Sequence, residues 1–200
     1  MRSLAGRRTE WRGVAETDLV DAARRAPDAF AELYRRHVQR VHAFAYRRAR
    51  HRETAEDVTA ATFEKAWKRL DAFDPSRGQF VNWVLGIAAN ELSDRARRDG
   101  RARRDRTVAA TISISLHEPT DPAEQIRDDA AAAALAAAMD ALPSRYQQVL
   151  GLRHLEGLTP AEVSAALDLS PSVLAVTTHR ARKALQRELD RTMASAEEQP

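Results

Sequence analysis

Residues Glu53 to Arg98 read ETAEDVTAATFEKAWKRLDAFDPSRGQFVNWVLGIAANELSDRARR, and this stretch limits the fold more than any other. Ala55, Val58, Thr62, Phe63, Ala66, Trp67 and Leu70 recur at three- and four-residue steps, so they share one face of a helix. Asp71 to Gln79 breaks the rhythm, with Pro75 and Gly78 as punctuation. A second helix then carries Phe80, Trp83, Val84, Ile87, Ala88 and Leu92 inward and runs out into arginine. Acidic residues open the unit and guanidinium groups close it. That polarity points to a protein partner at one end and a polyanion at the other.

The rest of the 200-residue chain extends the same pattern. Residues 1–16 lack periodicity and read as a mobile N-terminal tail. A short helix fits Thr17–Ala26, stopped by Pro27. A longer one opens at Asp28, with Phe30, Leu33, Tyr34, Val38, Val41, Phe44 and Ala45 as its apolar stripe. These elements make a first helical domain over 17–98. An Arg-rich, Pro-containing linker follows over 99–122, in which Thr111–Leu116 alternates like a strand but has no partner strand. The second domain, 123–190, begins with an alanine-rich helix to Ala141, then a helix capped by Ser144 that runs to about Leu155 and ends at Gly157. Thr159-Pro160-Ala161-Glu162 is a capping box with proline at the first helical position. Ser170-Pro171 repeats the cap before a last helix to about Leu189, and 191–200 form an acidic tail. The expected fold is all-α: two small helical domains on a flexible linker, the second a helix-turn-helix.

Two short capped helices separated by a tight turn, the second long and basic, match the way helix-turn-helix proteins enter the major groove. Leu174, Thr178, Ala181 and Leu185 form the inward seam of the last helix. Ser172, Val173, Val176, Thr177, Arg180 and Lys183 lie opposite. The small, weakly polar part suits base edges and thymine methyls, and the cationic part suits phosphates. A formal charge of only +3 hides this local asymmetry, because Arg95, Arg97, Arg98, Arg101, Arg103, Arg104 and Arg106 crowd one segment. Taken alone, that segment reads equally well as a solvated charge run.

Other function classes fare poorly. With no cysteine, disulfides and thiolate metal sites are excluded. The six histidines (His37, His42, His51, His117, His154, His179) lack the spacing of a helical metal pair. There is no Gly-rich phosphate loop and no nucleophile elbow, so no enzyme, cofactor or metal site is expected. No apolar run approaches the roughly 20 residues of a membrane span, and a cytoplasmic protein without membrane insertion is the expectation.

AFAELYRRHVQRVHAFAYR, AEDVTAATFEKAWKRL and FVNWVLGIAANELSDRARR resemble successive helices of the first conserved domain of the bacterial extracytoplasmic-function (ECF) sigma factors, the smallest group of the sigma-70 family. ALPSRYQQVLGLRHLEGLTPAEVSAALDLSPSVLAVTTHRARKAL resembles the second. The resemblance implies a protein that binds core RNA polymerase and directs it to promoter DNA, reading and melting the −10 element with one domain and reading the −35 element with the other. It implies polymerase contacts at Glu56, Asp57, Phe63 and Trp67, although core packing is the favoured reading of Phe63 and Trp67. It implies −10 contacts at Arg77, Gln79, Phe80, Asn82, Trp83, Asn90, Arg95, Arg97 and Arg98, with a flipped base captured near Asn82. Family analogy adds an anti-sigma factor as a candidate partner. The chain departs from the family pattern at Ala60-Ala61, at Leu85, Gly86 and Ala89, and at Ala175–Thr178, where charged, polar or aromatic residues are common. The competing readings are a helix-turn-helix regulator that binds DNA unaided and a degenerate sigma-like protein that binds a partner without initiating transcription.

Overall fold

The computed structural model describes residues 11–103 and 122–197, which are helical apart from turns and short irregular connections. The segment Thr111–Leu116 lies outside them. Helix α1 (Glu16–Ala23) buries Leu19, Val20 and Ala23, with Glu16 and Asp18 in the first turn, where carboxylates suit the helix dipole. It ends before Pro27 because a residue preceding proline is pushed out of the helical region; Ala26 is extended, and Pro27 opens α2 (Pro27–Ala49). That helix closes on Arg50, which is left-handed (φ 51°) and donates its N–H to the Tyr46 carbonyl at 2.8 Å. Helix α3 (Arg52–Lys68) buries Ala55, Val58, Thr62, Phe63 and Ala66, as its periodicity predicts.

Two 3-10 turns, Leu70–Ala72 and Pro75–Arg77, lead to α4 (Phe80–Arg103). Asp74 shapes the second turn by accepting from the Ser76 N–H at 2.9 Å and the Ser76 hydroxyl at 2.7 Å. Helix α4 is the axis of the molecule, packing against α2 and α3 on one side and the second half on the other. The second half comprises α5 (Pro122–Ala141), α6 (Ser144–Leu150) continuing into a π-turn at Gly151–Leu155, α7 (Pro160–Leu167) and α8 (Pro171–Glu197).

Several expected boundaries move. Trp11 and Val14, placed in the tail, pack against the core, and Arg36 donates to the carbonyls of both at 2.9 Å. Helix α4 continues five residues into the expected linker, and α8 continues into the expected acidic tail as far as Glu197. Pro143 holds the N-cap position of α6 and Ser144 is the first helical residue, so it makes no cap.

The core does not divide at the domain boundary. One apolar cluster joins Leu33, Val41, Phe44, Phe80, Val84 and Leu85 of the first half to Val149, Leu152, Leu158, Val163, Leu167 and Leu174 of the second. The second half adds a small cluster of its own, Leu142, Leu150, Ala181 and Ala184.

Candidate functional site

Three surfaces carry the candidate contact residues. The first lies on α2 and α3. Trp67 is 40% exposed and stacks edge-on against Phe30, with ring centroids 4.8 Å apart. Phe63 is buried beneath the 41% exposed Tyr34, also edge-on at 4.8 Å. Core packing is therefore correct for Phe63 and wrong for Trp67, which contributes an exposed aromatic face. Glu56 lies three helical turns before Trp67 on nearly the same side and is held by Arg52 at 2.8 Å. Asp57 bonds Arg95 of α4 at 2.9 Å, so an expected polymerase contact and an expected DNA contact neutralise one another. Tyr34, assigned to an apolar stripe, completes this surface; its four-residue step from Phe30 was the available signal.

The second surface surrounds the start of α4. The Gln79 carbonyl accepts from the N–H groups of Asn82 and Trp83 at 3.1 and 3.3 Å, and the Gln79 side chain is exposed. Phe80, at 1% exposure, packs on Phe73 with centroids 5.6 Å apart and is no DNA contact. A local anchor explains its burial: Glu16 accepts from the Phe80 N–H at 3.2 Å and bonds His37 at 2.8 Å. The His37 hydrogen bond is the main reason the Glu16 carboxyl stays below its ordinary titration range. Trp83 is half-buried beside Phe73, at 5.4 Å. Asn90 is exposed, Arg97 pairs with Asp94, and Arg98 is exposed.

Asn82 and Arg77 both reach the second half. Asn82 is 5% exposed and donates from Nδ2 to Glu162 Oε1 at 2.9 Å, while its Oδ1 has no hydrogen-bond partner. Arg77 pairs with Asp168 at 3.0 Å. A cleft of about 240 Å³ lies here, lined by Phe73, Arg77, Gln79, Asn82, Trp83 and Glu162. Glu162 belongs to the capping box of α7: it accepts from the Thr159 N–H at 2.8 Å, and the Thr159 hydroxyl accepts from its N–H at 3.3 Å. Those bonds from Thr159, backbone first, hold the Glu162 carboxyl below its usual range, with Asn82 adding to the effect. It meets Asn82 as a carboxylate.

The third surface is the outer face of α8. The turn from α7 passes through Asp168 in the left-handed region (φ 50°), with the Leu169 N–H returning to the Ser164 carbonyl at 2.9 Å. The Ser170 hydroxyl accepts from the Val173 N–H at 3.3 Å and lies 3.1 Å from the Ser172 hydroxyl. Val173 and Val176 are 49% and 50% exposed, Thr177 is half-buried, and Arg180 and Lys183 are exposed. Leu174 and Ala181 are buried on the opposite side. Thr178 on this seam satisfies its hydroxyl by donating to the Leu174 carbonyl at 2.8 Å. Val173 and Val176 thus stay in solvent at the start of a helix whose later turns carry exposed cations.

The Sigma-70 region 2 family model matches residues 33–102, and the Sigma-70, region 4 model matches residues 132–185. The RNA polymerase sigma factor CarQ of Myxococcus xanthus is 30% identical over 80% of this chain and 89% of its own length. The chain belongs to the sigma-70 family, in its ECF group. The ECF RNA polymerase sigma factor SigE of Mycolicibacterium smegmatis is also 30% identical over 80% of this chain, which spans only 62% of that relative's length. Among solved structures, CnrH in complex with the cytosolic domain of CnrY aligns with a TM-score of 0.57 and 27% identity, covering 88% of this chain and 98% of that one.

In this sigma factor the region 2 match ends close to the end of α4, and the region 4 match spans the helix-turn-helix. Among the described residues no helix is long and apolar enough to cross a membrane, and no group of His, Asp and Glu converges as a metal site.

Proposed function

We propose that this chain acts in the cytoplasm as an ECF sigma factor, binding core RNA polymerase and directing promoter-specific initiation, with no chemistry of its own. The α2–α3 surface, with Glu56, Trp67 and Tyr34 exposed, is the polymerase-docking face. Arg77, Gln79, Asn82 and Trp83, with Asn90, Arg95, Arg97 and Arg98 further along α4, serve the −10 element. Trp83 and Phe73 supply an aromatic wall for an unstacked base, and Asn82 supplies an amide for its edge. Ser172, Val173, Val176, Thr177, Arg180 and Lys183 read the −35 duplex. An anti-sigma factor is a further proposed partner, consistent with the CnrH relative having been solved with the cytosolic domain of CnrY.

The observation that carries this reading is the outer face of α8, two exposed valines followed by exposed cations on a doubly capped helix-turn-helix, in the same chain as a region 2 fold. The test is run-off transcription on fragmented genomic DNA with purified core polymerase, with and without the protein. New discrete starts sharing an upstream motif are expected. Absence of starts and failure to co-elute with core polymerase overturn the reading; a footprint on duplex DNA without polymerase identifies a free regulator instead.

A further inference from the structure

The first turns of α8 lack the side chains that usually read bases. From Ser170 to His179 the sequence is SPSVLAVTTH, with no arginine, lysine, asparagine or glutamine. Arginine and lysine make the two-pronged contact to guanine, and asparagine and glutamine the one to adenine. Neither contact is available where a recognition helix meets base edges. Several nearby hydroxyls are engaged within the helix. Ser170 accepts from the Val173 N–H at 3.3 Å, Ser172 lies 3.1 Å from the Ser170 hydroxyl, and Thr178 donates to the Leu174 carbonyl at 2.8 Å. What α8 offers outward here is methyl groups. Val173 and Val176 are 49% and 50% exposed, although alanine would suit a solvent-facing helix better.

These valines belong to a stripe. Val173, Val176, Arg180, Lys183 and Arg187 follow one another at steps of three or four residues, so they share one side of α8, and all are exposed. The cations begin about 6 Å beyond Val176 along the helix axis. They match a phosphate backbone, which makes the occupant of the stripe a nucleic-acid duplex rather than an apolar protein surface.

The apolar group on the floor of the major groove is the C5 methyl of thymine. We propose that this chain reads its −35 element by those methyls, packing Val173 and Val176 on them. With no arginine, lysine, asparagine or glutamine beside the valines to sense the neighbouring exocyclic group, the contact registers the methyl alone. A cytosine methylated at C5 carries the same group at the same ring position. It is therefore read as thymine, and cytosine methylation within the −35 element creates a binding site. The inference rests on the reading of α8 as the −35 helix.

The probe is a fluorescein-labelled promoter duplex from upstream of a start mapped by run-off transcription, bound by the full-length protein with core polymerase. Each −35 thymine is replaced in turn by uracil, cytosine or 5-methylcytosine, with the matching base opposite. These pyrimidines separate the methyl from the exocyclic group. Loss of a contacted methyl, to uracil or cytosine, is expected to weaken the apparent Kd about fourfold, as exposing one methyl-sized group should. The 5-methylcytosine version should restore it. Val173→Ala combined with Val176→Ala, both outside the core, should keep the parent Tm and erase the difference between thymine and uracil. Arg180→Ala should weaken every version alike and lower the salt slope by about 1. Affinity that follows the exocyclic group, or that ignores the methyl everywhere, overturns the inference. So does a methyl effect that survives the loss of both valines. An Arg180→Ala effect alongside any of these outcomes keeps α8 on the −35 duplex and leaves the sigma reading intact. No Arg180→Ala effect, or no start to map, removes the reading beneath the inference, and the inference with it.

Discussion

The two halves of this sigma factor are built from different material. All five phenylalanines and all three tryptophans lie before residue 84, and α1–α4 use them to fill a core around Phe44 and Phe80. The second half has alanine, leucine and valine, and its private cluster is Leu142, Leu150, Ala181 and Ala184. Small side chains bury little area each, at roughly 25 cal/mol per Å². The second half therefore completes its core by inserting Val149, Leu152, Leu158, Val163 and Leu167 against the first. A fold made this way ties the stability of the second half to its neighbour.

The strongest challenge to that dependence is Phe44→Ala. Phe44 is 1% exposed and lies under Gly151 of the second half, where an added Cβ would be 3.6 Å from its ring. A loss of about 3–5 kcal/mol is expected. Tryptophan fluorescence reports only the first half, whereas far-ultraviolet circular dichroism reports every helix. In urea the two signals should fall together in both parent and variant, as one cooperative unit requires. Separate transitions would show that the halves unfold independently.

Gly86→Ala sharpens the same point with a smaller change. On an isolated helix it would gain about 1 kcal/mol. Against the Ala166 carbonyl oxygen of α7, which an added Cβ would meet at 2.1 Å, it forces a backbone shift, and overpacking of that kind costs about 1–3 kcal/mol. A lower Tm is expected, and a higher one would show that α7 does not approach α4 this closely. Thr159→Ala acts within the second half alone. It removes the capping box of α7 and should cost about 1 kcal/mol, read as a lower urea midpoint with an unchanged slope.

The smallest effect concerns Glu16, which fastens α1 to the start of α4. Its folded pKa is depressed, chiefly by the His37 hydrogen bond. Its contribution is therefore present above the unfolded carboxyl pKa and fades as pH falls through the depressed folded value. Because the side chain is about a third exposed, screening keeps the effect below about 1 kcal/mol. Glu16→Gln should lower the unfolding midpoint at neutral pH, and the gap from the parent should close in acid.

Features legible in the sequence were those set by near neighbours. The Thr159–Glu162 capping box, the Ser170 cap and the Leu174–Ala181 seam all depend on residues within a few turns, and the structure has them. The α3 stripe was equally legible, except at its edge, where helical spacing alone cannot tell Trp67 at the rim from Phe63 beneath it. Features that escaped depend on distant partners. Phe80 was placed inward by its helical spacing and at the DNA by the family resemblance; the spacing was right, and the anchors that hold it inward, Glu16 and Phe73, were not visible in it. Asp57 and Arg95, assigned to different partners, find each other across 38 residues. Gly86 stood out as a departure from the family pattern, and its meaning required α7, which arrives 80 residues later.

The π-turn at Gly151–Leu155 has a consequence for chain length. Its wider ring, closed by the Glu156 N–H on the Gly151 carbonyl at 3.3 Å, accommodates one residue more than a regular helix would. Removing one residue there would turn this closure into an ordinary i→i+4 bond, with Glu156 kept in phase and one residue fewer between α6 and α7. The shorter path would pull Glu156 back toward α6 and strain its bonds to Arg40 and Arg47. The register between the halves is thus set by counting residues as well as by chemistry, and a single-codon deletion could uncouple them while leaving every contacting side chain in the sequence.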